Sequence, residues 1–449
     1  MRLIVAIAFA CVVMASCKNG DEYKKYTNDP LLFSKTVKKL NNIVLENNFP
    51  PMIAARNYVY ASIAAYECIV AGDSNFITLA GQIKHMSPMP KPPAGQTIDF
   101  HFAAALAFTK VGNAVTFPEG SMMTYYNELI EKADDEGMPE DVLENTKAFS
   151  DTIFKAVMAW SKKDNYAQTR SASKYTVNDT DGRWVPTPPM YASAMESHWK
   201  EIRTLVLDSA QECKPLPPPE YSIKDTTTAY YTSLMEVKKT GDSLTDEQKH
   251  MADFWDDNPF KMNVSGHVMF ATKKFSPGGH WMNIVGIACQ KANADFNTTV
   301  YAYAKTAIAL FDGFISCWDE KYRSNTVRPE TVINKYFDPE WRPYIQTPPF
   351  PAYISGHSVV SAAAAEVMTN IFGDNFSYKD TSEIEFGIAH RSFTSFHQAA
   401  WEASMSRMYG GIHYRFDLLE GNRIGRDIGK LVDDRLHMRR RDKNTTTKN

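Results

Sequence analysis

The chain is poor in cysteine, in net charge of either sign, and in long apolar runs. Its 449 residues hold six cysteines, and 49 Lys plus Arg stand against 52 Asp plus Glu for a formal charge of −3. This balance excludes a dedicated nucleic-acid binder, which needs an excess of Lys and Arg facing the phosphates. The one dense basic run, Arg439 to Arg441, belongs to a polar tail at 438–449 and reads as a solvated end. After residue 16 the best apolar run, Tyr301 to Ser316, is broken by Lys305 and Asp312, so no membrane-spanning helix is expected. Cys68, Cys213, Cys289 and Cys317 lie too far apart for a zinc pattern or a C-x-x-C pair. Disulfides and isolated buried thiols are both compatible with that spacing. No G-x-G-x-x-G, P-loop, H-E-x-x-H or G-x-S-x-G is present, and no repeat of fixed length. No pair among His280, His357, His390, His397 and His413 has a recognised zinc spacing, which weighs against a zinc hydrolase.

What the chain does have is a 44% apolar, 12% aromatic composition, enough to bury a large core. Residues 1–16, MRLIVAIAFACVVMAS, combine a basic Arg2 with an apolar stretch too short to span a bilayer, as a signal peptide does. Ala15 and Ser16 before Cys17 resemble a lipobox. The expectation is an exported lipoprotein acylated on Cys17, at a periplasmic or outer-membrane face, meeting the membrane only through its lipid anchor. Beyond it the helical period dominates. Phe33, Val37, Leu40 and Val44 share one face, as do Phe149, Ile153, Ala156 and Trp160, and Val360, Ala364, Val367 and Ile371. Proline marks the loops, notably Pro186 to Pro189, Cys213 to Pro219 and Pro329 to Pro351. The chain therefore reads as all-α helical bundles. A helical region at 17–165 is followed by a loop-rich connection at 166–226 and a second, catalytic helical bundle at 227–437.

Three segments of the second bundle concentrate unusual chemistry. The first runs from Trp318 through Lys321 to Arg328-Pro329, the second is Phe350-Pro351-Ala352-Tyr353-Ile354-Ser355-Gly356-His357, and the third runs from Arg407 through His413 to Asp417. Lys321 and Arg328 are seven residues apart, so one helix ending near Pro329 would project both from one face. Ser355-Gly356-His357 opens an apolar helix, whose N-terminal N–H groups attract anions and whose glycine admits close approach. Asp417, four residues after His413, is placed to orient that ring. Three fixed cations, a hydroxyl, a helix N-terminus and two histidines make a socket for a tetrahedral oxyanion. Ser265-Gly266-His267 repeats the short motif without the proline-rich lead or the apolar helix, and is a chance copy.

Lys-x6-Arg-Pro, Ser-Gly-His and Arg-x5-His-x3-Asp, in that order, resemble the vanadium-dependent haloperoxidase and type-2 phosphatidic acid phosphatase superfamily. The likeness extends from about Trp255 to Gly429, with Phe254-Trp255 and Gly279-His280-Trp281 ahead of the motifs. It implies that Lys321, Arg328, Arg407, Ser355 and the Gly356 N–H bind the oxygens of vanadate or phosphate. It implies that His413 is the ligand to vanadium or the nucleophile of a phosphohistidine, that His357 is the acid/base, and that Asp417 holds the His413 tautomer. Trp318 and Phe350 match aromatic positions of the halide pocket in chloroperoxidase-like members. The implied reaction is oxidation of halide by hydrogen peroxide with vanadate as cofactor. The alternative is an acid phosphatase that uses the same socket on a phosphate ester with no cofactor. A glycan-binding lipoprotein, which the 22 tyrosines and 8 tryptophans would suit, leaves the socket unexplained.

Overall fold

The structure, a computed structural model, describes residues 21–116, 121–259, 261–265 and 268–440, without the side chains of 260–272. Residues 1–16, read above as a signal peptide, Cys17, the tail from 441 and the side chains of the Ser265-Gly266-His267 copy lie outside the residues so described. The fold is all-α, with two short antiparallel hairpins added among the described residues, Lys261–Ser265 with Val268–Thr272 and Tyr378–Asp380 with Arg391–Phe393. Helix starts follow local chemistry. Asp29 accepts from Leu31 N at 2.9 Å with Pro30 in the first turn, Asp295 accepts from Thr298 N at 2.7 Å, and Ser355 accepts from Ser358 N at 3.3 Å.

Two helices form the axis of the molecule. Pro51–Gly72 and Phe296–Ser324 are buried along most of their length and pack on each other, so helices of both halves share one core. Buried Asp312 on the second accepts three backbone N–H bonds from Leu205, Val206 and Leu207 at 2.7, 2.7 and 3.0 Å, which pins the loop-rich connection to that core. The four cysteines among the described residues, Cys68, Cys213, Cys289 and Cys317, are free and buried. The basic run is exposed at Arg439 and Arg440, as a solvated end implies, but its backbone is tied down. Met438 O accepts from Ile77 N at 2.9 Å, Arg440 N donates to Asn75 O at 2.8 Å, and the Arg439 guanidinium lies 5.8 Å from the Phe76 ring centre. Backbone pairing and buried Met438 hold this stretch, which charge counting does not register.

The helix pair that positions the site is Gly356–Phe372 against Arg415–Arg435. A stripe of glycines four apart, Gly421, Gly425 and Gly429, faces the first helix. A Cβ at Gly425 would lie 2.2 Å from Val359 O, and one at Gly429 would lie 2.5 Å from Glu366 Cβ. The backbones thus approach more closely than any side chain permits, and Ser355 N reaches Asp417 O at 3.2 Å. The Gly425→Ala variant is expected to lose about 3 kcal/mol or more of stability, read by chemical denaturation, because backbone oxygen cannot yield as a side chain can.

Candidate active site

Trp318 and Lys321 lie in the last turns of the Phe296–Ser324 helix. That helix stops at Asn325, which takes a left-handed conformation (φ 51°). Arg328 is the N-cap residue of the next helix, Pro329–Tyr336, so it does not share a helical face with Lys321 as its spacing suggested. The turn still brings the two cations together. Lys321 Nζ lies 4.9 Å and the Arg328 guanidinium carbon 5.1 Å from the centre of the Phe350 ring.

Lys321, Arg328 and Arg407 are at most 2% exposed. Lys321 Nζ donates to the carbonyls of Pro351 and Ala352 at 2.9 and 3.0 Å. Arg328 donates from Nε to Phe350 O and from Nη1 to Ile412 O, each at 2.8 Å, and Nη1 lies 3.0 Å from His413 Nε2. Arg407 donates from Nε to Ser406 Oγ at 3.1 Å, from Nη1 to Asp256 O at 3.3 Å, and from Nη2 to Trp255 O. These partners are carbonyls, a hydroxyl and an imidazole, so the three charges are solvated by dipoles and are not neutralised by the contacts they make. Burial lowers the Lys321 ammonium to about 7 and the Arg328 guanidinium to about 10, the mark of a site short of negative charge. Arg328 Nη2 is buried and has no hydrogen-bond partner among the described residues.

His413 sits in the loop before the Arg415–Arg435 helix. Its Nδ1 lies 2.7 Å from Asp417 Oδ2, which also accepts from Tyr414 N at 3.2 Å. A carboxylate at Nδ1 keeps the proton there and leaves the Nε2 lone pair facing the cations. Burial, then Arg328, Lys321 and Arg407, hold the His413 pKa well below its usual value. His357 lies in the first turn of Gly356–Phe372. Its Nε2 is 3.6 Å from Asp257 Oδ2, too far for a hydrogen bond. Burial and then Arg407 lower its pKa to about 4. Ser355 caps that helix and is buried beside Asp417.

Gly356, His357, Arg407 and His413 line one cavity of about 310 Å³, whose apolar walls include Phe314, Trp318, Phe350 and Ile412. Lys321, Arg328, Ser355 and Asp417 are buried next to these residues. Trp318 and Phe350 meet at 5.0 Å between ring centres. Trp318 Nε1 and Tyr322 OH both donate to Met195 O, at 3.2 and 2.7 Å, so the loop-rich connection closes the wall with Met190 and Met195. All the residues read from the sequence as the oxyanion, acid/base and halide positions are thus brought to one place, while Cys17 lies outside the described residues. Sequence reasoning missed Met190, Met195, Phe314, Asp256 and Asp257. Only the acidic pair gave any signal, by following Phe254-Trp255. Chemically, the site offers buried donors for an oxyanion, a lone pair at His413 Nε2 and a neutral imidazole at His357.

For His357 the folded pKa lies below the unfolded one, so the unfolded chain takes up its proton first as pH falls. Its contribution to stability is present above about 6.5 and is lost as pH falls through about 4. His357→Gln is expected to reduce the loss of anion-free stability between those pH values, measured by denaturant melts of both proteins.

Residues 301–441, which span the three motifs, match the family described as VCPO second helical-bundle domain. The crystal structure of the first bacterial vanadium-dependent iodoperoxidase is similar to this chain at 43% identity and a TM-score of 0.87, covering 92% of this chain and 98% of that one. Holo-type bacterial vanadium-dependent chloroperoxidase shares the fold at 16% identity and a TM-score of 0.62, over 86% of this chain and 92% of that one. Its apo-type structure does so at 16% identity and 0.67, over 86% and 94%. Among curated protein sequences there is no match.

Proposed function

The chain belongs to the vanadium-dependent haloperoxidase family, and on that premise we propose that its buried socket takes up vanadate and oxidises halide, iodide foremost, with hydrogen peroxide. The observation that carries this reading is the set of three buried cations left without carboxylate partners among the described residues, beside an Arg328 Nη2 and a His357 Nε2 that have no hydrogen-bond partner there. Such a set fits a multiply charged tetrahedral oxyanion. Lys321, Arg328, Arg407, Ser355 and the Gly356 N–H would hold the vanadate oxygens, and His413 Nε2 would be the ligand atom to vanadium. Bound vanadate supplies Lewis acidity that activates peroxide for two-electron oxidation of a halide.

The chain's own residues do the rest. Asp417 keeps the proton on His413 Nδ1, so Nε2 stays unprotonated and, in the anion-free site, its lone pair accepts from Arg328 Nη1. Lys321, Arg328 and Arg407 are placed before reaction, so charge on the oxyanion is met without rearrangement. His357, neutral in the anion-free site, takes a proton from entering peroxide at Nε2 and returns it later. Trp318 and Phe350 give the approaching halide an aromatic wall that excludes water, which favours iodide because it is the most weakly hydrated and polarisable of the common halides. The iodoperoxidase likeness supports the same preference.

The test is a paired assay on protein beginning at Lys18. One arm is vanadate-loaded and receives peroxide with iodide, bromide or chloride. The other is vanadate-free and receives an aryl phosphate. Vanadate-dependent iodide oxidation faster than phosphate hydrolysis is expected. Brisk hydrolysis that vanadate inhibits would make the chain a phosphatase and sink the proposal. His413→Ala is expected to abolish vanadate binding and turnover. Arg407→Ala is expected to weaken vanadate binding by roughly 1.5–3 kcal/mol, the scale of a charge-assisted bond, by equilibrium titration. We further propose that the chain is exported and anchored by acylated Cys17, supported by Arg2, the apolar run after it and the small residues before Cys17. No helix of the described residues is long and apolar enough to cross a membrane. An N-terminal peptide from cells whose mass starts at acylated Cys17 is the expected result.

A further inference from the structure

We propose that Asp257, His280 and Glu383 form a second ligand set of opposite sign, which binds one divalent cation of the zinc–manganese class. Asp257 follows the Asp246–Phe254 helix, His280 lies in Pro277–Lys291, and Glu383 directly precedes the short Ile384–Phe386 turn. No two are close in sequence, yet their donor atoms all lie within 4.8 Å of one another. Asp257 is 2% exposed, and His280 and Glu383 are 0% exposed.

The hydrogen bonding around His280 decides what the cluster lacks. Its Nε2 lies 3.0 Å from Asp380 Oδ2, while Asp380 Oδ1 accepts from Ser382 N at 2.9 Å. Asp380 therefore holds the Nε2 proton and leaves the Nδ1 position facing two more carboxylates. Nδ1 is 2.9 Å from Asp257 Oδ1 and 3.8 Å from Glu383 Oε1. A proton on Nδ1 would answer Asp257 alone. Both oxygens of Glu383, and Asp257 Oδ2, are buried without a hydrogen-bond partner among the described residues. The nearby Lys274 Nζ donates to Asp253 O at 2.7 Å. A divalent cation answers Nδ1 and both carboxylates together.

The donor set gives the class. One imidazole with two carboxylates suits zinc or manganese, whereas calcium and magnesium favour oxygen alone. The Asp380–His280 contact is the outer carboxylate that metal-binding histidines commonly use. Asp257 also lines the active-site cavity, which gives an ion a way in. This inference does not depend on the haloperoxidase reading.

The test uses untagged, vanadate-free full chain, equilibrated with zinc, manganese or calcium, desalted and analysed by inductively coupled plasma mass spectrometry. About one zinc or manganese ion per chain is expected, with a melting temperature that a chelator lowers. Glu383→Gln should abolish retention, and Asp380→Asn, which keeps all three ligands, should weaken affinity by about 10–100-fold. Wild-type protein that retains no ion and melts alike with and without chelator would overturn the proposal. So would retention of calcium only, or full retention by Glu383→Gln.

Discussion

Three buried positive charges with no carboxylate in contact among the described residues are the constraint on which this structure depends. Taking a charge out of water costs several kcal/mol per ion unless something replaces the lost hydration. Here the replacement is backbone. Pro351, Ala352, Phe350, Ile412, Asp256 and Trp255 each turn a carbonyl toward Lys321, Arg328 or Arg407. Those carbonyls come from loops, where they are free of helical hydrogen bonds. This explains why a helical protein interrupts its bundle with a proline-rich segment at 348–351 and a break after Phe254. Dipoles hold the cations in place but leave their net charge for a ligand.

The helix pair Gly356–Phe372 and Arg415–Arg435 supplies the other half. The glycine stripe lets the backbones nearly touch, so the N-terminus of one helix and the first turn of the other meet. Ser355, Gly356, His413 and Asp417 are fixed by that contact. A wider spacing would separate the His413–Asp417 pair from the helix N-terminus and leave the cations with nothing opposite them.

Electrostatically the molecule places two unlike centres side by side. The Lys321–Arg328–Arg407 site has surplus positive charge. The Asp257–His280–Asp380–Glu383 cluster has surplus negative charge, and the two adjoin where Asp257 faces His357 across 3.6 Å. The Trp255 ring stacks on His280 at 4.5 Å while the Trp255 carbonyl accepts from Arg407, so one residue braces both centres.

Much of this was legible in the residues. Helical periodicity identified the faces of Pro30–Glu46, Glu140–Ser161 and Gly356–Phe372, because a buried stripe must repeat with the helix turn. The order Lys321, Arg328, Ser355-Gly356-His357, Arg407, His413, Asp417 picked out residues that the fold gathers around one cavity, because each is specified by short-range motif chemistry. Local rules also misled. Arg328 was placed on the Lys321 helix, although Asn325 ends that helix and the two cations meet through a turn. Nothing local announced that Met195 would close the cavity, or that His280 would meet Asp257 and Glu383 from 23 and 103 residues away. The sequence by itself determined the helical class and which residues gather at the buried cationic site, since periodicity and motif spacing are properties of neighbouring residues. Tertiary structure alone decided which carbonyls solvate the cations, which loop walls the cavity and where the acidic cluster forms, since each depends on segments that only packing brings together.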